Sequence, residues 1–120
     1  MLFNIIYLDD EPDLCEIFSD EFSAKDIAII TYTSADTAIK AANQNHPDLI
    51  FIDYRLPLTN GDEVALAMPP HIPKYLVTGE QNVETKYKFS GIFGKPLDRK
   101  KISEVIRNLA SAGRATSDKK

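Results

Sequence analysis

The chain has 120 residues, a formal net charge of -4 and a single cysteine. That length makes one domain, able to bury roughly two-thirds of the surface its unfolded chain exposes without covalent or metal staples. The acidic balance argues against nucleic acid or an anionic membrane surface as the main partner, since the only basic group of note, Arg99-Lys100-Lys101, reads as a solvated helix face. Cys15 alone cannot form an intramolecular disulfide and reads as a small core or boundary residue in a cytoplasmic protein. The opening residues lack the basic start of a signal peptide, and no apolar run approaches the ~20 residues of a membrane span.

In chain order, Phe3 to Leu8 is an apolar run, Asn4 excepted, that stops at Asp9, Asp10 and Glu11. Pro12 opens the next element, and Leu14, Ile17, Phe18 and Phe22 fall at helical spacing, which gives helix one to about Ser23. Ile27 to Thr33 is rich in β-branched residues and reads as strand two; Ser34 is a suitable N-cap for helix two, which carries Ala35, Ala38, Ile39 and Ala42 on one side. A polar turn over Asn43 to Asp48 leads into Leu49-Ile50-Phe51-Ile52, four large apolar residues ending in Asp53. Such a run, bounded by Pro47 and Pro57, reads as a central parallel strand buried on both faces.

Leu58 to Gly61 is a loop by composition, and helix three can begin near Asp62 but must stop by Met68, because Pro69 and Pro70 lack the backbone donors a helix needs. Lys74 to Thr78 is strand four. Only Val83 and Tyr87 pair at i and i+4 before Ser90-Gly91, so helix four is short and loosely specified. Gly91 to Gly94 is a brief strand five. Asp98 caps a last helix with an apolar stripe of Ile102, Val105, Ile106 and Leu109. The domain is expected over residues 1–112 and a polar, disordered tail over 113–120.

Strands alternating with helices imply an α/β fold, a flavodoxin-like (βα)5 doubly wound parallel sheet of strand order 2-1-3-4-5, with short third and fourth helices. In that order strands one and three are neighbours, so Asp9, Asp10 and Asp53 meet in one crevice at the carboxyl ends of the strands, with Thr78 and Lys95 at its rim. Three crowded carboxylates call for a cation, and an all-oxygen set suits Mg²⁺, which commonly completes its shell with a phosphate oxygen. A lysine ammonium and a threonine hydroxyl beside it suit the remaining phosphoryl oxygens. His46 and His71 lie in loops beside prolines with no ligand partner at useful spacing, so no zinc site is expected.

On Asp9-Asp10, on Asp53 with Pro57 and Gly61 behind it, on Thr78-Gly79 and on Lys95-Pro96, the sequence resembles the receiver domain of bacterial two-component response regulators, single-domain type, over Asn4 to about Ala110. The resemblance implies that Asp53 accepts a phosphoryl group from the phosphohistidine of a sensor histidine kinase or phosphotransfer protein, in a Mg²⁺-dependent reaction that switches protein interactions. It implies that Asp10, Asp53 and the backbone carbonyl of Arg55 hold the metal directly, Asp9 through water, and that Thr78 and Lys95 bind the phosphoryl group. Pro57, Gly61 and Pro96 become structural positions, with a cis Lys95-Pro96 bond. Such a domain catalyses only its own phosphorylation and autodephosphorylation.

The chain departs from the family pattern at the switch position of strand five, usually Tyr or Phe, which here is Ile92; Phe93 beside it faces the other side of the sheet. No output domain follows, so the chain is a free-standing receiver or was cut from a longer one. Two other functions stay open: a phosphorylation-independent interaction module on the same fold, and a flavin carrier. Asp9-Asp10-Glu11-Pro12 after strand one would repel a flavin phosphate.

Overall fold

The computed structural model describes residues 2–118. Eleven elements follow the chain: β1 (Phe3–Leu8), α1 (Pro12–Phe22), β2 (Ile27–Tyr32), α2 (Ala35–Asn45), β3 (Leu49–Asp53), β4 (Arg55–Leu56), β5 (Thr59–Asn60), α3 (Gly61–Leu66), β6 (Lys74–Thr78), β7 (Gly91–Gly94) and α4 (Arg99–Asp118). Five strands form one parallel sheet in the order β2-β1-β3-β6-β7, the arrangement expected from the alternation of elements. β4 and β5 form a separate antiparallel pair, so the stretch after Asp53 is a small hairpin where composition suggested only a loop.

Strand alternation divides the core into two unlike halves. Ile6, Leu8, Ile50 and Ile52 face α2 and α3 and pack with Ala38, Ala41, Ala42, Val64 and Met68. Ile5, Tyr7, Leu49, Phe51 and Val77 face the other way, onto Cys15, Phe18 and Phe22 of α1 and Ile102 and Ile106 of α4. β3 is buried along its whole length, as its unbroken apolar run requires.

α1 begins with Pro12 in its first turn, where a missing N–H costs nothing. Ser34 stands at the N-cap of α2, but its side chain makes no capping bond; its carbonyl accepts from Thr37 Oγ1 and the Ala38 N–H. Asp98 does cap α4, its side chain accepting from the Lys101 N–H at 3.1 Å. α3 is short and ends at Leu66, before Pro69 and Pro70. α4 continues past Ser111 to Asp118, over positions where a polar tail is expected; residues 119–120 lie outside the described residues.

The fourth helix expected between Thr78 and Gly91 does not form: the stretch 80–90 is irregular. Its backbone donors are taken elsewhere. The carboxylate of Asp62, at the start of α3, accepts from the N–H of Lys86 at 3.0 Å and of Tyr87 at 3.4 Å. Lys74, 1% exposed, donates to the carbonyls of Pro69 at 2.6 Å and Ile72 at 3.0 Å and to the Tyr87 hydroxyl at 2.9 Å. Tyr87 and Phe89 then lie against the α2–α3 half of the core. Among the described residues no helix is long and apolar enough to cross a membrane.

Candidate functional site

The site is assembled by register. Leu8 pairs with Ile52, Asp53 with Val77, and Thr78 with Gly94, so Asp9, Asp53, Thr78 and Lys95 emerge from four adjacent strands at the same edge of the sheet. Gly61 lets the chain return closely beneath Asp53: a Cβ there would meet Leu76 Cδ1 at 2.6 Å and the Asp53 carbonyl oxygen at 3.3 Å. The Lys95-Pro96 peptide bond is cis.

Carboxylate oxygens of Asp9, Asp10 and Asp53 lie within 4.8 Å of one another. Asp9 is 0% exposed and Asp53 6%, whereas Asp10 faces solvent. The Lys95 ammonium bridges the two buried acids, 3.1 Å from Asp9 Oδ2 and 3.1 Å from Asp53 Oδ1. One ammonium against three carboxylates leaves negative charge in excess, and the Asp53 carboxyl shows it. Burial first, then the neighbouring Asp9, push its pKa up to about 6 against the pull of Lys95. For Lys95, burial works against the charged form, but the hydrogen bonds to Asp53 and Asp9 prevail and its pKa is raised. All-oxygen donors with uncompensated charge fit a hard divalent cation.

Thr78 is buried, and its Oγ1 accepts from the Glu80 N–H at 3.0 Å, which leaves its own O–H free to donate. Arg55 forms an ion pair with Glu80, its Nη2 3.0 Å from Glu80 Oε1. Arg55 also lines a 460 Å³ recess shared with Asp10, Tyr54 and Pro57. Ile92 is exposed, outside this cluster, while Phe93 packs near Phe51 and Tyr75, on the opposite side as alternation requires. His46 and His71 are exposed; they stack on each other with centroids 5.6 Å apart.

Sequence reasoning passed over Tyr7. Its hydroxyl donates to Asp9 Oδ2 at 3.0 Å, and the wholly buried ring stacks on Phe18 at 4.1 Å. Burial and the Asp9 carboxylate raise its pKa strongly. The signal was present: a tyrosine in an aliphatic strand, two residues before Asp9, must point to the same side.

The sequence matches the response regulator receiver domain family over residues 5–107. It is 31% identical over 117 residues to the probable transcriptional regulatory protein TcrX of Mycobacterium tuberculosis, a match covering 93% of this chain and 50% of the relative. The chain thus spans about half the length of that protein. The fold is similar to the CheY-like receiver domain from Methylobacillus flagellatus, with a TM-score of 0.81, 20% identity and coverage of 91% and 99% of the two chains. It is also similar to the receiver domain of the sensor histidine kinase PA1611 from Pseudomonas aeruginosa, with a TM-score of 0.80, 14% identity and coverage of 91% and 98%. That domain was solved with a magnesium ion coordinated in its active site cleft. The match across most of the chain, on the strand order and register described, means that this chain belongs to the response regulator receiver domain family.

Proposed function

We propose that the chain is a phosphoacceptor switch in which Asp53 takes a phosphoryl group from the phosphohistidine of a histidine kinase or phosphotransfer protein. The observation that carries this reading is the convergence of Asp9, Asp10 and Asp53 within 4.8 Å, with Lys95 bridging the two buried acids. An oxygen of Asp53 attacks phosphorus, the N–P bond to the donor imidazole breaks, and the imidazole leaves with a proton. Asp10, Asp53 and the Arg55 carbonyl are the groups to hold Mg²⁺ directly, with Asp9 holding a metal-bound water. The bound cation supplies neutralisation of the charge on the transferring phosphoryl oxygens.

Lys95 moves from the acid pair to a phosphoryl oxygen, and Thr78 donates its free O–H to another. Asp9 stays, held by the Glu11 N–H at 3.0 Å. As Thr78 closes on the phosphoryl group it leaves space behind it that Ile92 has no ring to fill, and the β-branched Ile92 side chain is stiff at the first torsion. The signal therefore passes through the irregular stretch 80–90, whose Glu80 N–H is already bonded to Thr78.

The test is incubation with acetyl phosphate and Mg²⁺ followed by mass spectrometry. The expected result is one added phosphoryl group on the wild type and none on Asp53→Asn. No uptake by the wild type would leave the phosphorylation-independent module as the reading.

A further inference from the structure

Asp9 accepts three hydrogen bonds on two oxygens. Oδ1 takes the Glu11 N–H at 3.0 Å, and Oδ2 takes both the Tyr7 hydroxyl at 3.0 Å and Lys95 Nζ at 3.1 Å. The two donors on Oδ2 differ in kind. Lys95 sits at the end of a flexible stem, partly exposed, and can leave. Tyr7 cannot, because its ring is stacked on Phe18 of α1 with an interplanar angle of 15° and no part of it reaches solvent.

We infer that Tyr7 is a positioning residue that, through Asp9, holds the affinity of the acidic cluster for a divalent cation low. A hydroxyl bonds most strongly to a carboxylate that carries its full charge. A cation drawing on the same carboxylate removes part of that charge, so the Tyr7–Asp9 bond is stronger in the empty cluster than in the filled one. A group that stabilises the empty state more lowers affinity by the same factor. The effect fits a site that fills firmly only once a phosphoryl group adds its own oxygens. The alternative is that Tyr7 is a core tyrosine needing some acceptor, with no bearing on the cation.

The inference rests on the reading of the cluster as a Mg²⁺ site, and the experiment separates the two. Mg²⁺ affinity is measured by titration calorimetry on the full chain for wild type, Tyr7→Phe, Asp9→Asn and the double variant. Tyr7→Phe keeps the ring and its stacking and loses only the hydroxyl. It is expected to bind Mg²⁺ about fivefold more tightly, a coupling of ordinary size, with no such gain in the Asp9→Asn background. Unchanged or weaker binding by Tyr7→Phe, or a gain that persists without the Asp9 charge, overturns the inference. Should Tyr7→Phe not fold, the ring carbon bearing the Tyr7 hydroxyl is followed by NMR in the wild type during the Mg²⁺ titration. A shift that saturates with the cation is expected, and a resonance that stays fixed overturns it. A wild type that takes up no Mg²⁺ sinks this inference and the metal-site reading together. Normal uptake with a flat Tyr7→Phe comparison sinks the inference alone.

Discussion

At the scale of single residues, Asp53 carries two opposed demands. On the proposed reading it must be ionised to attack phosphorus, yet burial and Asp9 hold its pKa up to about 6. The folded chain therefore keeps this proton more tightly than the unfolded chain does, and the contribution of Asp53 to stability falls as pH climbs from the ordinary carboxylate range through about 6. In metal-free protein the melting temperature is expected to carry this fall, and Asp53→Asn to remove it; a pH profile identical in the two proteins would refute the assignment. The proposed ligand roles separate as well: Asp10→Ala should abolish Mg²⁺ binding while Thr78→Ala leaves it nearly unchanged, because on that reading the hydroxyl contacts only the phosphoryl group. Equal losses by calorimetry would count against the site. The acids were legible in sequence because strand ends at one sheet edge gather whatever residues follow the apolar runs. The Tyr7 hydroxyl bond was not, since a buried tyrosine shows which face it points to but not which acceptor it reaches.

At the scale of elements, the stretch 80–90 shows where pattern and structure part. Val83 and Tyr87 have helical spacing, but one such pair cannot outweigh a buried charge that competes for the same backbone. Asp62 is such a charge, and buried Lys74 ties down the Tyr87 hydroxyl beside it; residue types that favour the surface gave no hint of either. Lys74 has three N–H groups and three acceptors. Tyr87→Phe leaves one of them without a partner in the interior, and is expected to cost about 1–3 kcal/mol of stability in a denaturant titration. The amides of Lys86 and Tyr87 should exchange faster in that variant, and unchanged exchange would show that the clasp does not hold the segment. Phosphorylation is expected to act in the opposite sense, slowing exchange across Glu80 to Ser90 more than around Ile92. Gly61→Ala belongs to this scale too: the tight approach to Leu76 and the Asp53 backbone predicts a loss of about 1–3 kcal/mol, read by thermal unfolding.

At the scale of the whole molecule, the order β2-β1-β3-β6-β7 could be anticipated because right-handed crossovers and alternating elements leave few arrangements. The hairpin of β4 and β5 could not, as strands of two residues carry no periodic signal. The same topology has a kinetic side. Lys95 reaches Asp9 across 86 residues of chain, so the ammonium arrives only when β7 docks. Until then β1 and β3, already able to pair, bring Asp9 and Asp53 together with no protein cation between them. The loop closed by that last contact costs little more than a shorter one, since the entropy grows only with the logarithm of length. The electrostatic barrier is therefore the part that solvent can alter. Refolding followed by stopped-flow should be faster with Mg²⁺ present, and Lys95→Met should increase that dependence; a refolding rate indifferent to the cation would show that the acids come together last. The bridge from Lys95 to Asp9 and Asp53 in the finished protein is then also the late step of its assembly, and a nascent chain carries the repulsion of its acids unrelieved until the final strand has emerged.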